Sequence, residues 1–299
     1  MINSLQKITM MTKMKYFTVT NATLQDWRKI IEWGNKEGWN AGYQDAVCAY
    51  QVDPKGLFIG RLDNKIIAAV SLINHSENYS IWGSYLVHPE YRGKGYGKAI
   101  CKVARVHAGN REIGSNAMPE MTLNYMKSGL ASVHKIIHYS GRLKKNKTNS
   151  LNKTYKIFMI EPHHLDIITD YDAMFFPASR KRFLKNWLFS IGHKSHVKFD
   201  NGKITGYGVI RPAPQGYKIG PLAATTPDDA QDLFDSLTAD LSPTDNISIF
   251  VPEYASEKFI YFLLNKGLSS QFHVVYMHKG NTYKNMAKII YCPANLEMG

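Results

Sequence analysis

Apolar and polar positions alternate over LFIGRL (57–62), IIAAVSLI (66–73) and YSIWGSYLV (79–87), with polar breaks at DNK and NHSEN. A period near two sends successive side chains to opposite faces, so these runs predict strands joined as an antiparallel meander. Ala99, Ile100, Val103, Ala104 and Val106 recur at helical spacing instead, and predict a helix that opens from a glycine-rich stretch and closes at Gly109. In the second half, HVKFDNGKITGYGVIRP (196–212) predicts a hairpin turning at Asn201-Gly202, and PDDAQDLFDSLTADL (227–241) a helix started by Thr226 and Pro227. The same order of elements recurs, which predicts two copies of one fold.

The stretch SGRLKKNKTNSLNKTYK (140–156) is polar and basic without an apolar period, as an exposed connection between two cores would be. It divides the chain into a first domain over 1–141, a basic linker over 142–155 and a second domain over 156–299. A length of 299 residues suits two domains, and 44% hydrophobic residues exclude a disordered or low-complexity chain. The longest apolar runs fall well short of the roughly 20 residues that cross a bilayer, and the first residues hold no apolar signal core; a membrane role is not expected. Three distant cysteines, Cys48, Cys101 and Cys292, form neither a disulfide framework nor a zinc pattern, and fit a reduced, cytoplasmic location. His163-His164 and His193/His196 lack ligand partners at metal spacing, so no metal is expected.

The net charge of +13 is uneven: residues 1–145 carry +10 and the rest +3. A basic half attracts nucleic acid, membrane surfaces or phosphorylated small molecules alike, and charge alone does not choose among them. The linker cations Arg142, Lys144, Lys145, Lys147 and Lys153 read more simply as a solvated connector than as a nucleic-acid contact.

The chemistry begins where YSIWGSYLV runs into Arg92-Gly93-Lys94-Gly95-Tyr96-Gly97-Lys98 and then a helix. A strand, a glycine turn and a helix N-terminus gather backbone N–H groups and the cations Arg92, Lys94 and Lys98 at one point, which makes a pyrophosphate cradle. A P-loop is excluded because Arg92 stands where its first glycine belongs and Ala99 where its hydroxyl belongs. A dinucleotide fingerprint needs G-x-G-x-x-G in a parallel unit, whereas Gly93, Gly95 and Gly97 are spaced G-x-G-x-G after an antiparallel meander.

What fits is R-x-x-G-x-G preceded by V-x-P, Val87 to Gly97, and this segment resembles motif A of the GNAT acyl-coenzyme A N-acyltransferases. Met121 to Leu130 is similar to that family's Tyr-x-x-x-Gly-Phe helix end, with Leu130 replacing Phe. The segments 37–46, 176–182 and 216–222 resemble the tandem YitH-like subfamily. The resemblance implies an α/β (α+β) fold of two tandem domains, each a mixed, mostly antiparallel sheet flanked by helices. It implies acetyl-CoA as the acyl donor, held by Leu86, Val87, Arg92, Gly93, Lys94, Gly95, Tyr96, Gly97 and Lys98, and an amine acceptor of unstated identity. Tyr125 becomes the candidate acid for the leaving thiolate, and Glu37 and Asp45 the candidate bases. Trp39 and Tyr43, at i and i+4 beside the acceptor segment, and Tyr85 are candidate acceptor contacts, though aromatics of this kind also pack in cores.

The second copy departs from the pattern. At 221–229 it reads PLAATTPDD, without glycine or cation, and Asp228 and Asp229 would repel a pyrophosphate at that helix start. One active domain and one supporting domain are therefore expected. The function implied is direct N-acetyl transfer; a non-catalytic acyl-CoA sensor is the alternative.

Overall fold

The computed structural model describes residues 17–144, 156–281 and 289–299. The first half runs β1 (Phe17–Asn21), α1 (Leu24–Lys36), α2 (Asp45–Val52), β2 (Leu57–Leu62), β3 (Lys65–Asn74), β4 (Tyr79–Val87), α3 (Tyr96–Ala108), β5 (Glu112–Ala117), α4 (Thr122–Met126) and β6 (Ala131–Arg142). The second repeats that order as β7 (Lys156–Met159), α5 (Leu165–Asp172), α6 (Lys181–Leu188), β8 (Lys194–Asp200), β9 (Lys203–Ala213), β10 (Gly216–Ala224), α7 (Pro227–Thr238), β11 (Asn246–Pro252), α8 (Glu257–Asn265) and β12 (Leu268–Lys279), followed by β13 (Ile290–Cys292). The meander, the glycine-led helix, the hairpin at Asn201-Gly202 and the helix capped by Thr226 all form where periodicity places them. Within α3 Ile100, Ala104 and Ala108 carry the buried stripe, and Val106 is 67% exposed on the outer face.

In each half the meander leads through a helix into one parallel pairing. Tyr79–Trp82 of β4 pairs with Glu112–Ser115 of β5, and Tyr217–Ile219 of β10 pairs with Ile247–Ile249 of β11; beyond these registers both pairs diverge. The sheets do not stay separate. The strand order is β1-β2-β3-β4-β5-β12-β6-β11-β10-β9-β8-β7, so each half places its last long strand next to the other half's β5 or β11. β12 pairs antiparallel with β5 on one side and with β6 on the other, and β6 pairs antiparallel with β11. The boundary expected at 141/142 falls in the last residues of β6; of the linker only Arg142, Leu143 and Lys144 are described, and Lys145, Lys147 and Lys153 lie outside the described residues.

One hydrophobic cluster joins the halves, with Trp27, Ile30, Cys48 and Tyr79 from the first packed with Phe183, Trp187 and Tyr207 from the second. Within it Asp45 of α2 accepts from Arg211 of β9, Nε–Oδ1 at 2.9 Å and Nη2–Oδ2 at 3.2 Å, and the guanidinium lies 4.5 Å over the Trp187 ring. Both side chains are almost fully buried. A buried carboxylate is tolerated because the paired guanidinium replaces the water it has lost.

Arg211→Met leaves Asp45 charged, buried and unpaired, and should cost about 3–5 kcal/mol in urea unfolding at neutral pH. Burial alone would raise the Asp45 carboxyl, but Arg211 outweighs it and holds it below its ordinary value. Its contribution is therefore complete above the unfolded carboxylate range and is lost as pH falls through the lower folded value.

Candidate active site

The divergence of β4 from β5 is the geometric centre of the site. Past Trp82 the β4 strand leaves β5, and its pairing with β3 shifts register between Ala69 and Ser71, opposite a bulge where Ser84 adopts φ +48°. The bulge fixes which side chains face which side. Trp82, Tyr85 and Val87 pack with the α3 cluster, whereas Ile81 and Leu86 pack with the cluster shared with the second half.

On the α3 side lies a cleft of about 560 Å³ lined by Trp82, Tyr85, Gly97, Lys98, Arg105 and Tyr125, among others. The glycine turn closes one end. Gly93 (φ +75°) and Gly95 (φ +87°) hold the left-handed backbone that turns the chain into α3, with Gly95 as the N-cap and no side chain capping the free N–H groups. At Gly97 a Cβ would collide with the Tyr85 hydroxyl. Lys98 is exposed at the cleft, and Lys94 extends outward over the Tyr91 ring at 5.5 Å. Trp82 Nε1 is buried with no hydrogen-bond partner among the described residues, while Arg105 lies 5.0 Å over its ring. Uncapped N–H groups at the helix start, Lys98 and an orphaned indole N–H suit an extended, phosphate-bearing ligand.

At the other end Tyr125 of α4 stands edge-on to Trp82, ring centroids 5.6 Å apart, near the Ser115 hydroxyl where β5 leaves β4. Burial pushes its phenol up to about 12, so it holds its proton at neutral pH. Cys101 also lines the cleft, but burial pushes its thiol up to about 12 and leaves it a poor nucleophile.

Several predicted residues stand elsewhere than expected. Tyr96 offers only its backbone, because its ring is buried against Phe17 at 4.8 Å. The side chains of Leu86 and Val87 are core, and the Val87 carbonyl accepts from Arg92 Nε at 2.9 Å. Arg92 is further tied to Glu37 at 3.3 Å, which also accepts from Trp33 Nε1, so Glu37 is engaged by the cation of the glycine turn. Asp45 is not available as a base, since both its oxygens are held by Arg211. Trp39 and Tyr43 do not share a helix face: residues 37–44 form turns and irregular chain, Trp39 packs onto Gly34, and Tyr43 is 62% exposed. Tyr85 lines the cleft beside Gly97.

The matching place in the second half is built differently among the described residues. Thr226 and Asp229 form a capping box that satisfies the α7 N-terminus, and β13 pairs with Leu222 and Ala223 of β10 beyond the point where β10 leaves β11. Asp229 and Asp232 clamp Lys198 at 2.6 and 2.8 Å, Asp228 pairs with Lys258 and Asp235 with Lys266, so the acidic face of α7 is matched by lysines. Among the described residues no group of three or more His, Cys, Asp or Glu converges on a metal-sized point, and no helix is long and apolar enough to cross a membrane.

Residues 24–122 match the Acetyltransferase (GNAT) family and residues 168–292 the Acetyltransferase (GNAT) domain. The chain belongs to the GNAT superfamily. It is similar to the holothin acyltransferase of Pseudoalteromonas sp. (strain SANK 73390), 27% identical over 300 residues and spanning all of both chains. Among solved structures, a putative acetyltransferase from Pyrococcus horikoshii matches with a TM-score of 0.78 at 15% identity over 99% of this chain and all of that one. A tandem GNAT protein from the clavulanic acid biosynthesis pathway matches with a TM-score of 0.59 at 11% identity, over 89% and 99% of the two chains. The protein is a GNAT acyltransferase built of two such domains.

Gly95→Glu puts a carboxylate and a Cβ into the left-handed turn that precedes α3. The expected outcome is that acetyl-CoA at a hundred times Kd stabilises the wild type by about 2.7 kcal/mol and leaves the variant's melting unmoved, with the variant's unliganded fold still cooperative.

Proposed function

We propose that the first domain transfers an acetyl group from acetyl-CoA directly to an amine of a small-molecule acceptor, and that the second domain is a degenerate copy that binds no donor. The observation that carries this reading is the convergence of the glycine turn, Lys98 and a protonated Tyr125 on one cleft where β4 leaves β5. Full-length similarity to a holothin acyltransferase supports a metabolite acceptor over a protein amine. The segments resembling the YitH-like subfamily support a place in that tandem group, and three separate free cysteines support a cytoplasmic setting.

The chemistry follows from the groups present. The donor's phosphates bind the N–H groups of the turn and Lys98, and its extended arm lies along the edge of β4 that β5 has left. The neutral amine attacks the thioester carbonyl carbon; the C–N bond forms, the C–S bond breaks, the nitrogen gives up its surplus proton, and the departing thiolate takes the Tyr125 proton, which solvent restores. Cys101, neutral and of weak nucleophilicity, is a poor acyl carrier, which favours a single direct transfer.

The test is thiol release from acetyl-CoA with holothin and simple aryl and alkyl amines as acceptors. Wild type should turn over with at least one of them, and Tyr125→Phe should lower kcat about a hundredfold or more with the donor affinity kept. Donor binding without turnover across the panel would overturn the reading.

A further inference from the structure

β13 occupies the place beyond the β10–β11 pairing, and from it residues 293–299 run back to the first half. The path is held at several points. Asn295 Nδ2 donates to Asp45 and its Oδ1 accepts from the backbone N–H groups of Glu297 and Met298, Asn116 Nδ2 of β5 donates to the Leu296 carbonyl at 2.8 Å, and Nε2 of His75, the residue after β3, lies 2.9 Å from the Met298 carbonyl. The segment thus crosses the opening between β4 and β5 on the face away from α3. It comes so close to β4 that a Cβ at Gly83 would lie 2.7 Å from Glu297 Cα. Glu297, Ser84, Asp45 and Asn295 line a cavity of about 10 Å³ there, room for about one water-sized group.

Glu297 is the acidic residue this route delivers to the β4 bulge. Its carboxylate makes no ion pair and no hydrogen bond to another side chain among the described residues, in contrast to Asp45 beside it, which is fully engaged. Tyr125 stands on the α3 side of the same opening. We propose that Glu297, carried by the second half, is the catalytic base of the first half's site, taking the proton from the acceptor amine at the β4 bulge. The proposal rests on the acyl-transfer reading above. It completes the proton account: the amine N–H proton passes to the Glu297 carboxylate as the C–N bond forms, Tyr125 protonates the leaving sulfur, and both groups return to their starting states through solvent.

The charged groups facing Glu297 are Lys218 of β10, Arg211 of β9 and Asp45 of α2. Burial and Asp45 raise its carboxyl above the ordinary glutamate value, against Lys218 and Arg211, which lower it. A base so placed must lose its proton before it can act, so kcat should rise with pH through that raised value.

The experiment measures kcat, KM and acetyl-CoA affinity from pH 5 to 9 for the full chain, with acetyl-CoA and the best acceptor of the amine panel. Glu297→Gln should bind acetyl-CoA as the wild type does, lose about a hundredfold in kcat, and lose the acidic limb of the wild-type profile. Glu297→Asp, one methylene shorter, should keep that limb and recover part of the rate. Wild-type kcat in Glu297→Gln with an unchanged profile would overturn the proposal while leaving acyl transfer intact. Loss of acetyl-CoA binding or of cooperative melting in Glu297→Gln, with Glu297→Asp showing no acidic limb, would make the residue a structural plug and would also overturn it. A wild type that releases no thiol with any amine fails the acyl-transfer reading itself, and this proposal with it.

Discussion

The antiparallel pairing of β6 with β12 is the contact on which the rest of the architecture depends. It runs from Leu268 opposite Gly141 to His278 opposite Ala131, near the full length of both strands. Because β12 also pairs with β5 and β6 with β11, neither half can complete its sheet alone. A strand edge left open would present a row of unpaired backbone groups, and here each half closes the other's edge. The buried ion pair between Asp45 and Arg211 and the shared cluster around Trp187 lie on the face this exchange brings together.

The duplication has been used unequally. In the first half the opening past the parallel pairing leads into a cleft lined by Gly97 and Lys98 at the start of α3. In the second, a capping box serves the helix N-terminus and β13 pairs along the strand where the first half leaves an edge free. A site of one kind thereby became the anchor for a segment that returns to the other half. The carboxylate at the β4 bulge, the hydrogen bond from Asn116 and the small cavity beside Ser84 all follow from that anchoring.

The elements and the donor side were legible in the sequence because both depend on local pattern. Alternation gave β2, β3 and β4, helical spacing gave α3, and the glycine turn needs only a few consecutive residues to declare a backbone that binds anions. The acceptor side was not legible for the converse reason. Asp45 looks like any carboxylate at a helix start until Arg211, 166 residues later, is seen to hold it. Glu37 shows its tie to Arg92 only in three dimensions, and the i, i+4 spacing of Trp39 and Tyr43 falls on an irregular stretch in which Asn40 takes a positive φ. Glu297 lies in a short segment with no periodicity and no motif; nothing local says that it stands against Gly83, 214 residues earlier in the numbering. The strand exchange is equally silent, since β6 and β12 read as ordinary strands whichever neighbour they take.

The two halves form one cooperative body through exchanged strands, and native-state hydrogen exchange of the full chain tests this most directly. Amides of β5 and β11 should open together, with the same free energy and the same dependence on denaturant, because each is paired with a strand from the other half. Separate opening, with β7 to β11 exchanging at lower free energy while β5 and β12 stay protected, would contradict the account.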